Sequence, residues 1–156
     1  MINPKPQKEH KWLDRLVGEW TTETNSEGTG DMPPTKHAGT ETVRSLDGIW
    51  FIAEGNGDMG PTVMTLGYDP DKKKYVGTFV GSMMTDLWLY EGEVDASGKV
   101  LVLDTEGPSF SGDGTRVPYK DSMEFITDDH RVLTSRFQGV DAQWTDFMRT
   151  DYHRKK

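Results

Sequence analysis

The strongest constraint in this chain is a succession of about ten short segments in which Thr, Val, Tyr, Phe and Trp alternate with polar residues, each ended by tight-turn residues. The segments fall at about residues 19–25, 36–46, 49–55, 62–68, 74–82, 86–94, 99–105, 117–127, 131–138 and 143–153. Asp47-Gly48 is the strongest hairpin dipeptide, and Asp69-Pro70-Asp71-Lys72 reads as a type I turn. Asp95-Ala96-Ser97-Gly98 and Gly139-Val140-Asp141-Ala142 continue the pattern. Strands joined in this way pair with their sequence neighbours in an antiparallel meander. A meander of that length either leaves long edges open to other chains or closes on itself. The expected fold is therefore all-β: an antiparallel up-and-down barrel of about ten strands, wide enough to enclose a small ligand.

Ahead of the first strand lies a short amphipathic helix, expected at about residues 5–17. Trp12, Leu13, Leu16 and Val17 fall on one stripe of a 3.6-residue period, and the prolines of Asn3-Pro4-Lys5-Pro6 suit a first turn. Gly18 can take positive φ beyond the last turn, and Trp20 follows at once. The natural place for such a helix is across one end of the barrel, with the indole beneath it. A Gly-x-Trp between a short helix and a run of strands resembles the opening of the calycin superfamily, the lipocalin-like barrels.

At 156 residues the chain is read as one domain, 1–156, able to bury a core without disulfides. It has no cysteine, which removes thiolate chemistry and Cys-based metal sites. Its net charge of −8 opposes binding to phosphate backbones, and the basic tail His153-Arg154-Lys155-Lys156 reads as a solvated terminus, so no nucleic-acid partner is expected. The polar N-terminus lacks an apolar signal region and no apolar run is long enough to span a bilayer; the chain is expected to be cytoplasmic, without a membrane partner.

Residues 49–53, 63–68, 87–90 and 100–103 are apolar on both faces, more than one short helix covers. A homodimer is expected, centred on Met83, Met84 and Trp88.

Candidate site residues are fewer. The histidines His10, His37, His130 and His153 show no metal-ligand spacing, so no metal is expected. His153 is either an exposed residue beside the basic tail, the preferred reading, or an inward ligand for haem as in a nitrobindin-like barrel. Arg149 and Arg154 lie on opposite faces of the last strand, and either can stack on Trp20. Resemblance to the fatty-acid-binding barrels would place an Arg-x-Tyr near the C-terminus to hold a carboxylate. The order here is Arg149-Thr150-Asp151-Tyr152, which sends Arg and Tyr to opposite faces. Trp20, Thr22 and Arg149 are expected to contact a lumen ligand, with Ser109 and Phe110 at the mouth. Glu54, Asp104, Glu106, Glu124, Arg136 and Asp146 are charges embedded in strands, most of them expected to face outward with the face of any one left open; Glu124 and Arg136 are the candidates for an inward acid/base group and anion partner. No nucleophile elbow, phosphate loop or zinc-protease motif is present.

Taken whole, the sequence resembles the bacterial family of unknown function DUF1579. The blocks that carry the resemblance include Leu16-Val17-Gly18-Glu19-Trp20, Gly39-Thr40-Glu41-Thr42-Val43-Arg44-Ser45-Leu46, Met64-Thr65-Leu66-Gly67-Tyr68-Asp69-Pro70, Gly77-Thr78-Phe79-Val80-Gly81-Ser82-Met83-Met84 and Asp104-Thr105-Glu106-Gly107-Pro108-Ser109. The resemblance implies a calycin-like barrel and no particular activity or cofactor. Two functions are compatible with it: a module that holds a small hydrophobic or amphipathic molecule in its lumen, and a small isomerase or lyase working in the same cavity.

Overall fold

The computed structural model describes residues 3–28 and 33–156, so part of the stretch between the first two expected strands, residues 29–32, lies outside the described residues. One short helix, α1 (Lys8–Asp14), precedes ten strands. These are β1 (Gly18–Ser26), β2 (Thr35–Leu46), β3 (Trp50–Gly57), β4 (Thr62–Asp69), β5 (Lys74–Gly81), β6 (Trp88–Val94), β7 (Val100–Pro108), β8 (Arg116–Thr127), β9 (His130–Gln138) and β10 (Trp144–Arg154). Each strand pairs antiparallel with its sequence neighbours, and β1 pairs with β10, from Trp20 opposite Arg154 to Ser26 opposite Met148. The meander closes, which leaves no free edge.

Alternation along each strand decides what fills the interior. On β7, Leu101, Leu103 and Thr105 face inward while Asp104 and Glu106 face out to Lys120 and Arg116. The core concentrates at one end, where Trp20, Phe51, Leu66, Leu101 and Leu103 are almost wholly buried together with Leu13 and Leu16. The outer surface carries cross-strand ion pairs such as Arg44–Glu54, Lys72–Glu91 and Lys74–Glu93. Between them the outside of β3–β6 is apolar, with Trp50, Val63, Val80, Leu87 and Leu89 each more than a third exposed.

The helix is shorter than the expected span of about 5–17. The prolines stay in the extended lead-in, and the Gln7 N–H donates to His10 Nδ1 at 3.0 Å as the first turn begins. After Asp14 the chain tightens: Leu16 and Val17 N–H donate to the carbonyls of Leu13 and Asp14, three residues back. Leu16 and Val17 thus pack from a turn rather than from the helix. α1 lies across the core-filled end, where the Trp12 indole N–H reaches the Gly98 carbonyl at 2.7 Å and its rings meet those of Tyr75 and Phe125.

Candidate functional site

Packing at the helix end leaves space at the other. A cavity of about 530 Å³ extends from mid-barrel to the turns farthest from α1. Its volume is in the range of small-molecule sites. Most of the wall is apolar or aromatic, contributed by Met64, Phe79, Trp88, Tyr119, Leu133 and Phe147. The register of β10 shifts between Asp146 and Met148, so that Phe147 and Met148 both reach the cavity. Trp88 lies edge-to-face on Tyr119 at 5.0 Å, against Gly107, where a Cβ would collide with the indole. Phe110 from the turn after β7 meets Phe147 at 5.0 Å and remains about half exposed, so the cavity reaches the surface beside it.

Beneath the cavity is a layered floor. Arg131 is almost wholly buried and forms an ion pair with Glu41. Its guanidinium lies 3.7 Å from the Tyr152 ring centroid and 4.6 Å from that of Trp20. On the far side Arg154 stacks on Trp20 at 4.2 Å. Arg154 also donates to the carbonyls of Val17 at 2.8 Å and Arg15 at 2.9 Å, and so ties the last strand to the end of the helix segment. Gly18, at φ +138°, leaves the room that this guanidinium occupies: a Cβ there would sit 2.6 Å from Arg154 Nη1.

Higher in the lumen the Tyr90 hydroxyl donates to Asp121 Oδ2 at 2.5 Å, and Ser135 also hydrogen-bonds the carboxyl. Among the described residues no cation partners Asp121. Burial therefore raises its pKa above the ordinary carboxylate range, against the lowering effect of the Tyr90 and Ser135 bonds. Burial also pushes the Tyr90 hydroxyl well up, helped by the negative field of Asp121. Thr24 and Thr150 share a hydroxyl hydrogen bond of 2.9 Å, whereas the buried Thr105 hydroxyl has no partner among the described residues. All three threonines line the cavity.

The residues expected to carry the site are thus distributed unevenly. Thr22, Ser109 and Phe110 line the cavity. Trp20 lies in the floor, screened from the lumen by Arg131 and Tyr152. Arg149 is a correction: it is exposed on the outer face and holds Asp151 through two bonds of 3.1 Å. Of the two arginines expected to stack on Trp20, Arg154 does so. Glu124 and Arg136 are also corrections, since Glu124 is exposed and Arg136 pairs outside with Asp146 at 3.2 Å. Their inward counterparts are Asp121 and Arg131, and alternation held the signal. Asp121 shares parity with Tyr119, Met123 and Phe125; Arg131 shares it with Leu133, Ser135 and Phe137. Glu124 and Arg136 fall on the other parity.

His153 is exposed on the outer face at the helix end, because Tyr152 beside it points in; the haem reading has no inward histidine there. His130, Asp151 and His153 are, among the described residues, the one group whose ligand atoms are close enough to hold a metal ion. The two rings are stacked at 4.3 Å, and Arg149 already neutralises the carboxylate. Met83, Met84 and Trp88, the residues expected to centre an interface, all line the cavity. Trp88 and Met84 face the lumen, with the indole N–H on Met84 Sδ at 3.1 Å.

A family profile described as "Protein of unknown function (DUF1579)" matches residues 5–154. No curated protein matches the chain. Among solved structures, the barrel is similar to that of Rv2717c from M. tuberculosis, with TM-score 0.63 and 13% identity over 97% of this chain and 100% of that one. It is also similar to the S-type phycobiliprotein lyase CPES from Guillardia theta, with TM-score 0.56 and 16% identity over 98% of this chain and 99% of the other. At such identities the likeness is one of fold.

Proposed function

Because the chain belongs to the DUF1579 family, whose function is unknown, we propose its role from the cavity itself: a binding module that holds a small, partly apolar molecule inside the barrel. The observation that carries this reading is the cavity of about 530 Å³, walled by aromatic and aliphatic side chains and reaching the surface beside Phe110. A barrel with no use for a ligand could fill that space with larger side chains, as its helix end does. Thr22, Ser109 and Phe110 would touch the occupant directly, and Thr105 offers it a free hydroxyl. Native mass spectrometry of the protein purified from cells, followed by denaturing extraction, tests the reading. A stoichiometric organic adduct is expected; no adduct, together with no uptake of apolar probes, would refute it.

A second reading draws on Asp121. A buried carboxyl whose pKa is raised, beside a hydroxyl and inside a cavity, is equipped to move a proton, as an isomerase or lyase requires. Asp121, rather than Glu124, would then be the acid/base group. Incubation of the extracted ligand with the protein in heavy water tests this: enzyme-dependent deuterium incorporation that disappears in Asp121→Asn supports it. The same proposal includes a second copy of the chain on the apolar outer face of β3–β6. The flanking charges there are internally paired, so an approaching copy meets no unbalanced field.

A further inference from the structure

The lumen has an unbalanced charge. Among the described residues that line it, four are acidic, Glu41, Asp58, Asp86 and Asp121, of which Glu41 is paired with Arg131 and Asp58 is exposed at the rim; His37 also lines it, and none is Lys or Arg. The nearest buried cation, Arg131, is committed to Glu41 and lies over the rings of Tyr152 and Trp20. That leaves Asp121 as an enclosed carboxyl supplied with hydrogen bonds from Tyr90 and Ser135 but with no positive charge. Two residues along the same face of β8, Tyr119 begins a cluster of rings with Trp88, Phe110 and Phe147. Aromatic faces and carboxylates attract the same kind of group. A cation gains from both, and an anion is repelled by both.

We infer that the barrel selects an apolar ligand bearing a positive charge, an alkyl- or arylammonium compound whose cation sits between Asp121 and the ring cluster. The inference rests on the reading of the barrel as a binding module and specifies the chemistry of its occupant. It excludes the carboxylate ligands that a barrel with an inward arginine would hold, since the arginines of this chain either pair with Glu41, close the floor or lie outside. A ligand cation supplies the one charge that the lumen lacks, and the apolar wall strengthens its attraction to Asp121 by keeping water out.

Three probes of one shape test the charge directly: phenylbutyl-trimethylammonium, phenylbutanol and phenylbutyrate, each titrated calorimetrically into the whole protein at neutral pH. The ammonium is expected to bind about tenfold or more tightly than the alcohol, and the carboxylate more weakly than either. In Asp121→Asn the ratio of ammonium to alcohol affinity is expected to fall about tenfold. Asparagine keeps an acceptor for Tyr90, and circular dichroism with thermal unfolding reports whether the variant is folded. Equal binding of all three probes, or preference for the carboxylate, overturns the inference while leaving the binding module standing. An ammonium preference that survives in the variant overturns the role of Asp121. Failure of all three to bind removes both the inference and the reading beneath it. If the variant does not fold, the ranking by the natural protein decides alone.

Discussion

Asp121 sets the residue-scale behaviour of this protein. Its pKa is raised in the folded state by burial, so the native protein binds a proton there more readily than the unfolded chain. The stability that this protonation contributes is complete below the unfolded carboxylate value and is lost as pH rises through the folded one. Asp121→Asn removes the titration. The stability of the variant relative to the natural protein should therefore climb as pH rises above the ordinary carboxylate value. Urea unfolding at a series of pH values measures it, and a flat difference would show that Asp121 is not desolvated. Arg131 and Glu41 pose the opposite case, a buried pair that is closed on itself. Arg131→Met alone should cost roughly 3–5 kcal/mol, because Glu41 is left without its cation. Adding Glu41→Leu should restore most of that loss. A double variant no better than the single would mean that Arg131 acts mainly through its contacts with Trp20 and Tyr152.

At the scale of elements, the closed end depends on a tie between the two ends of the described chain. α1 has only seven residues, too few to hold helical shape without tertiary contacts. Arg154 supplies some of those contacts: it donates to the carbonyls of Arg15 and Val17, forms an ion pair with Asp129 at 3.3 Å and covers the Trp20 indole. Arg154→Ala should destabilise the protein by about 2–3 kcal/mol, combining one stacking contact with several charge-assisted hydrogen bonds. Amide exchange should speed up first in α1 and the start of β1, while β4–β7 keep their protection. Uniform loss of protection would show instead that the barrel and its plug unfold as one unit. Hydrophobic period and the Gly-Glu-Trp step made this element legible, but its length was overread, because Leu16 and Val17 keep the helical stripe while leaving the helix.

For the whole molecule, closure accounts for the inside, and the outer face of β3–β6 is what remains. Val63 and Val80 pair across β4 and β5, with Leu89 alongside on β6, Leu87 just ahead of it and Trp50 laid over Gly67. A second copy on this face would account for strands that are apolar on both sides. Sedimentation of the natural protein should give a dimer, and Leu89→Lys with Val80→Lys should give a folded monomer with unchanged ligand uptake. A natural protein that sediments as a monomer at all concentrations would remove this part of the proposal. No helix among the described residues is long and apolar enough to cross a membrane.

The sequence by itself determined the strand count, the boundaries to within a few residues, the closing of the meander and the position of the indole, because each rests on local turn chemistry and on residues adjacent in the chain. It left open which of the strand charges face outward; Glu54, Asp104, Glu106 and Asp146 do, and each pairs across strands. Tertiary structure alone decided which inward residues meet. Tyr90 and Asp121 come from β6 and β8, which are not neighbours in the sheet, and Arg131 reaches Glu41 across the barrel from β9 to β2. Alternation can assign a side chain to the interior, but the curvature of the closed sheet sets its partner there. The same closure decides that bulk fills the helix end and leaves the far end hollow.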